Sequence, residues 1–163
     1  MTWTYLIALG SNRRGRHGSP AAEVRAAASA LGPALGRTVA VSPVMESAAL
    51  GPSRRRFANA VAVVGSDLDP PAVLAAVKGI ERNFGRRRGR RWGARVIDLD
   101  LVGWSGGRWR SLGLAVPHPA FRERAFVLAP LLRVAPDWRD PVTGLTVRQL
   151  FARLTRRGRV PRR

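Results

Sequence analysis

Two carboxylates one residue apart lie in a short apolar segment, Val96-Ile97-Asp98-Leu99-Asp100-Leu101-Val102. Its β-branched and aliphatic content predicts a strand over residues 96–102. Successive strand side chains point to opposite faces. Asp98 and Asp100 therefore share one face, and Ile97, Leu99 and Leu101 the other. Close like charges repel and raise one pKa unless a cation lies between them. A hard divalent ion bound through oxygen, Mg²⁺, resolves that repulsion. Immediately upstream, Arg86, Arg87, Arg88, Arg90, Arg91 and Arg95 alternate with Gly85, Gly89 and Gly93. Guanidinium forks match phosphate oxygens, and this composition predicts a mobile, phosphate-gripping loop. Acids for a metal beside arginines for phosphate suit chemistry on a nucleoside triphosphate. Each half also has a plainer reading: an Asp-x-Asp on a solvated strand face, and an arginine run facing solvent or nucleic acid.

The elements that must position these residues can be read from periodicity and punctuation. Strands are predicted near 4–9, 38–42, 57–64, 96–102 and 108–112, and helices near 20–31, 70–84 and 146–154, which makes a mixed α+β domain. Ser19 and Asp69 read as N-caps, each followed by proline at the first helical position. Gly32-Pro33 is expected to end the first helix and Gly85 the second. Ser47 to Pro52 reads as loop. His17 has no evident partner and reads as a loop histidine. On the strand from Phe57 to Val64, Phe57, Asn59, Val61 and Val63 share a face. An Asn on an apolar face needs partners; it either holds a neighbouring backbone group or reads a heterocycle edge, since an amide offers both donor and acceptor. Glu81 borders the apolar stripe of the second helix, and an ordinary ion pair is its plain reading. Trp104 and Trp109 read as packing residues, and Arg110 fits either a phosphate contact or an exposed strand. His118, between Pro117 and Pro119, sits in rigid extended chain as a structural residue or a fixed donor.

Gly85-Arg86-Arg87-Arg88-Gly89-Arg90-Arg91-Trp92-Gly93-Ala94-Arg95-Val96-Ile97-Asp98-Leu99-Asp100 closely resembles the signature of 6-hydroxymethyl-7,8-dihydropterin pyrophosphokinases, a folate-pathway family. That signature differs only in having proline where Ala94 stands. Ala8 to Asn12 and the run from Val116-Pro117-His118-Pro119 to Arg124, Phe126-Val127-Leu128 and Pro130-Leu131 resemble further family segments. The resemblance implies a ferredoxin-like fold, a mostly antiparallel sheet between helix layers in a three-layer α-β-α arrangement. It implies transfer of pyrophosphate from ATP to the hydroxymethyl group of the dihydropterin, with release of AMP. Asp98 and Asp100 would hold two Mg²⁺ ions and act with Arg86 and Arg95 in catalysis. Glu81, Arg88, Trp92, His118 and Arg124 would bind ATP. Ser47, Leu50, Phe57, Asn59 and Phe126 would form the pterin site, with the two phenylalanines sandwiching the ring. Ala48 and Ala49 replace prolines usual in the family, a departure that bears on substrate fit.

Composition narrows the alternatives. A 163-residue chain with 45% hydrophobic residues is read as one domain over 1–155, with a basic, disordered tail over 156–163. The absence of cysteine excludes disulfides and thiolate metal sites. No run of about 18 apolar residues suggests a membrane span, and Met1 to Tyr5 lacks the basic start of a signal peptide. A monomer in the cytoplasm acting on small molecules is expected. The net charge of +19, with Lys78 the only lysine among 29 basic residues, predicts non-specific nucleic-acid binding at low salt. A basic nucleic-acid-binding module is the rival reading, and a relative that has lost activity is the third. The module leaves Asp98, Asp100 and the Phe57/Asn59 pair without a purpose, and the aromatic strand motif of RNA-recognition domains is missing.

Overall fold

Side chains alternating across one sheet divide the core in two. In the computed structural model, residues 1–48, 55–85 and 96–157 are described. The strands are β1 (Trp3–Ser11), β2 (Arg37–Val41), β3 (Met45–Ser47), β4 (Phe57–Ser66), β5 (Asp98–Trp104), β6 (Trp109–Ser111) and β7 (Leu114–Val116). The helices are α1 (Pro20–Leu35), α2 (Pro70–Asn83), α3 (Ala125–Val134) and α4 (Val147–Arg157), with a 3-10 turn at Phe121–Glu123. The main sheet runs β2-β4-β1-β5, all antiparallel, and β3 extends the β2 side of β4. Leaving β3 aside, the chain order β1-α1-β2-β4-α2-β5 with β1 and β4 central is the ferredoxin-like arrangement.

Tyr5, Ile7 and Leu9 of β1, Ala58 to Val64 at alternate positions of β4, and Leu99 and Leu101 of β5 pack under α1 and α2. Leu6, Val61, Val63 and Val102 point to the opposite face and meet Val127, Leu128 and Leu131 of α3 and Val147 and Leu150 of α4. Three layers result, as the resemblance implies. Because β1 and β4 are covered on both sides, β4 is buried along nearly its whole length. Ser19 Oγ accepts from the Ala22 N–H at 3.2 Å and an Asp69 carboxylate oxygen from that of Ala72 at 2.9 Å, so both expected caps hold.

Three expectations change, and one helix appears where the sequence predicted no element. Gly32-Pro33 does not end α1, which runs on to Leu35 and closes at Gly36, where the N–H donates to Gly32 O at 2.9 Å. A proline so near the C-terminus removes one hydrogen bond without interrupting a long ladder. Ser47 is not wholly in a loop: Met45–Ser47 pairs with Phe57–Asn59. The motif from Ala125 onward forms α3, including Pro130. Helix α4 extends to Arg157, taking in the first two residues of the expected tail, while 158–163 lie outside the described residues. Trp104 is a packing residue: its ring lies 5.1 Å from Trp3 and 5.7 Å from Trp109. Among the described residues no helix is long and apolar enough to cross a membrane.

Candidate active site

The ends of β1, β4 and β5 and the start of α3 converge on one side of the sheet. Register places Gly10 of β1 between Asn59 of β4 and Asp98 of β5, so chemistry-bearing residues from distant segments become neighbours. They enclose a cavity of about 190 Å³ lined by Ser47, Phe57, Asn59, Asp98, Asp100 and Phe126, among others. Asn59 is 4% exposed. Its Nδ2 donates to Ser47 Oγ at 2.8 Å, which holds the amide against the cavity wall. Phe57 and Phe126 are half-buried, one on a strand and one on a helix, and both present ring surface to the cavity.

Asp98 and Asp100 do share a face, with Leu99 and Leu101 buried on the other. Arg124, at the N-cap of α3, brings its guanidinium to 3.7 Å from Asp100 Oδ2 and to 5.8 Å from the Phe126 ring centroid. A cation already drawn to this acidic pair at longer than hydrogen-bond distance marks the place as suited to positive charge. The donor set is two hard carboxylates. Among the described residues no third acid, histidine or cysteine joins them in a metal-binding group. That fits an ion such as Mg²⁺, which keeps waters and takes substrate phosphate oxygens as its remaining ligands.

Residues 6–136 match the family model of 7,8-dihydro-6-hydroxymethylpterin-pyrophosphokinase (HPPK). The chain belongs to this family. It is 44% identical over 106 residues to the enzyme named 2-amino-4-hydroxy-6-hydroxymethyldihydropteridine pyrophosphokinase of Pseudomonas aeruginosa, covering 64% of this chain and 65% of that one. The protein of the same name from Synechocystis is 40% identical over 105 residues, or 64% and 54% of the two chains. That from Haemophilus influenzae is 36% identical over 137 residues and 82% of each. The matched segment thus spans little more than half of the Synechocystis relative. In fold the chain resembles the HPPK-DHPS of Plasmodium falciparum, with a TM-score of 0.77 over 96% of this chain and 44% of that one at 14% identity.

A second concavity adjoins the first in this HPPK-family chain. It has a volume of about 520 Å³ and lies between the β5 edge and the β6–β7 hairpin. Leu74, Leu101 and Leu114 supply apolar wall, and Lys78, Arg110 and His118 supply polar groups. Asp100 lines both concavities. The His118 N–H donates to Val102 O at 2.9 Å, and its Nδ1 accepts from the Ala120 N–H at 3.2 Å. The proton of the neutral ring therefore sits on Nε2, leaving that atom as a donor. Burial lowers the His118 pKa and Arg124 adds to this, against the opposing pull of Asp100 and Asp98.

Glu81 has a structural task the sequence did not show. It is 6% exposed and accepts from the Leu99 N–H at 2.7 Å and from Lys78 Nζ at 2.8 Å. Lys78 Nζ also donates to Leu99 O at 3.2 Å. Two side chains of α2 thereby satisfy both backbone groups of Leu99 on an edge strand. Burial raises the Glu81 pKa, and Lys78 and the Leu99 N–H oppose the rise. Glu81 lines neither concavity and stands behind the strand that carries the two aspartates. Lys78 and Arg110 do line the second one; the sequence left Arg110 open between a phosphate contact and an exposed strand, and Lys78 had no assigned role. Leu74, Leu101 and Leu114 carried only the signal of core residues. The expected site residues Leu50, Arg86, Arg88, Trp92 and Arg95 lie outside the described residues.

Proposed function

We propose that this chain transfers the β,γ-pyrophosphoryl group of ATP to the hydroxymethyl oxygen of 6-hydroxymethyl-7,8-dihydropterin, as relatives named for that activity would. The observation that carries the reading is the pair of adjoining concavities with Asp100 in the wall of both. A two-substrate transfer needs such a meeting point, because holding both reactants in line supplies much of the rate.

The smaller cavity takes the pterin. Phe57 and Phe126 flank the flat ring, and Asn59, held by Ser47, pairs with its edge; Leu50 is assigned to the pterin site on the family resemblance alone. The larger cleft takes ATP, with His118 Nε2–H directed to phosphate oxygens there, and Arg124, which lines the smaller cavity beside Asp100, meeting them from that side. Arg86, Arg88, Trp92 and Arg95 are assigned to the phosphates and base on their place in the signature. Asp98 and Asp100 would hold two Mg²⁺ ions, a group that would supply charge neutralisation at the phosphates and a lowered pKa of the hydroxyl. The hydroxyl oxygen bonds to the β-phosphorus, the bond from that phosphorus to the oxygen bridging to the α-phosphate breaks, and AMP leaves with that oxygen. The hydroxyl proton passes to water. The net charge of +19 steers polyphosphate toward the cleft. A nucleic-acid module would not place two carboxylates at the centre of its anion-binding face.

The test is to mix the protein, Mg-ATP and hydroxymethyl-dihydropterin and separate the nucleotides, with a control lacking pterin. AMP in equal amount to pterin consumed, only with Mg²⁺ present, is expected. ADP as the pterin-dependent product, or no product, overturns the proposal.

A further inference from the structure

Glu23, in the first turn of α1, has no exposed surface, and the chemistry above makes no use of it. Its carboxylate accepts the backbone N–H of His17 at 2.6 Å and lies 2.9 Å from His17 Nδ1. His17 is therefore not a partnerless loop histidine. Its loop is closed by reciprocal hydrogen bonds between Gly15 and Gly18, at 3.2 and 3.1 Å. The glycine at 15 is required by space: a Cβ there would lie 2.5 Å from a Glu23 oxygen and 2.6 Å from Val96 Cγ1. Ser11 Oγ, at the end of β1, donates to the Val96 carbonyl at 2.5 Å. On its other side the His17 ring lies 4.8 Å from that of Phe84, with the Arg16 guanidinium 5.7 Å from the Phe84 centroid.

Phe84 and Gly85 lead into residues 86–95, and Val96 follows them. One buttress, the loop 11–18 locked onto Glu23, thus touches both ends of the arginine-bearing stretch. It also borders the start of β5, two residues before Asp98. Burying a carboxylate costs free energy unless its partners are in place, and an apolar residue at position 23 would serve plain packing as well.

We propose that the Glu23–His17 pair is a positioning device for the transfer reaction. It holds Phe84 and Val96 at a set separation, and so fixes where β5 begins and where Asp98, two residues on, meets the polyphosphate. The inference rests on the function proposed above.

Three variants test it. His17→Phe keeps a ring against Phe84 and loses the Nδ1 contact to Glu23. His17→Asn keeps a side-chain N–H near Nδ1 and loses the ring. Glu23→Gln removes the charge at nearly constant shape. His17 is 34% exposed, so its variants are expected to fold even where Glu23→Gln does not. The readouts are kcat, melting temperature, Kd for a non-hydrolysable Mg-ATP analogue, and Kd for the pterin at saturating analogue. A small misplacement remote from the reacting atoms costs about 10- to 100-fold, and that loss in kcat, with weakened analogue binding, is expected for His17→Phe and Glu23→Gln. Pterin Kd should stay as in wild type, and His17→Asn should recover most of the loss. Unchanged kcat and analogue Kd in both impaired designs overturn the inference, as does a His17→Asn protein no better than His17→Phe. A lower melting temperature with both ligands affected equally, or neither, means a scaffold role and also overturns it. Wild-type protein that makes no AMP overturns the proposed function and this inference with it; wild-type AMP formation beside indifferent variants overturns this inference alone.

Discussion

The two concavities that meet at Asp100 are built differently. The smaller is walled by the ends of central strands and the start of a helix, and its one buried amide is already held by a partner, Ser47. The larger lies along an edge strand and a two-stranded hairpin, and its polar groups are half-exposed or exposed side chains. A flat, neutral heterocycle is recognised by shape and a few fixed hydrogen bonds, which central strands hold well. A polyphosphate is recognised by charge, which long cationic side chains at a margin deliver while staying hydrated until the ligand arrives. On the proposed assignment, the difference teaches that pterin fidelity would reside in the sheet, and nucleotide grip in what is attached to its edge.

The largest test of this division falls on the shared wall. Asp100→Ala and Asp98→Ala should each lower kcat by about 10³-fold or more, since transition-state charge loses its metal-held counterpart. Circular dichroism should show both proteins folded, because removing one of two like charges relieves repulsion. Turnover near wild type in either protein, measured with saturating Mg²⁺, would remove the aspartates from the reaction.

An intermediate effect should separate the two sides. Asn59→Ala is expected to weaken pterin binding by about 1–3 kcal/mol, the cost of an unpaired buried polar edge, with nucleotide binding unchanged. Lys78→Met should do the reverse and more weakly, since its ammonium borders only the cleft. Calorimetry with each ligand checks both; equal losses for the two ligands would erase the distinction between the sides.

The smallest effect on activity is expected far from both. Asp140 is fully buried and takes two hydrogen bonds from Arg122, at 2.7 Å each, with Thr143 Oγ1 at 2.6 Å. Burial alone would raise its pKa, but Arg122, Thr143 and the Val142 N–H outweigh that and hold it at about 2, against 3.8 unperturbed. A depressed folded-state pKa contributes stability at pH above the unfolded value, and that contribution disappears as pH falls through the folded one. The window is therefore from about pH 4 down to about pH 2, and the amount about 2 kcal/mol. Denaturant melts across that range should show the loss in wild type and its absence in Asp140→Asn. At neutral pH the variant should keep both ligand affinities.

The sequence by itself determined the family signature, the shared face of the two aspartates and most of the frame. Alternation in 96–102 put Asp98 and Asp100 on one face, because a strand has period two whatever surrounds it. Ser19-Pro20 and Asp69-Pro70 marked helix starts, because capping is local. Tertiary structure decided what depends on partners distant in the chain. Helix α3 carries Pro130 and followed no clear local start signal, and it is helical because its apolar face covers Leu6, Val61 and Val102. Glu81 could not be read as the clamp on Leu99, nor His17 as the partner of Glu23, since neither spacing nor composition records which backbone group or carboxylate will lie opposite. Asp100 became the common wall of two concavities only when β5 paired with β1 beside β4. Local signals specify what a residue can do, and the pairing of strands and the packing of helices on them specify what it meets.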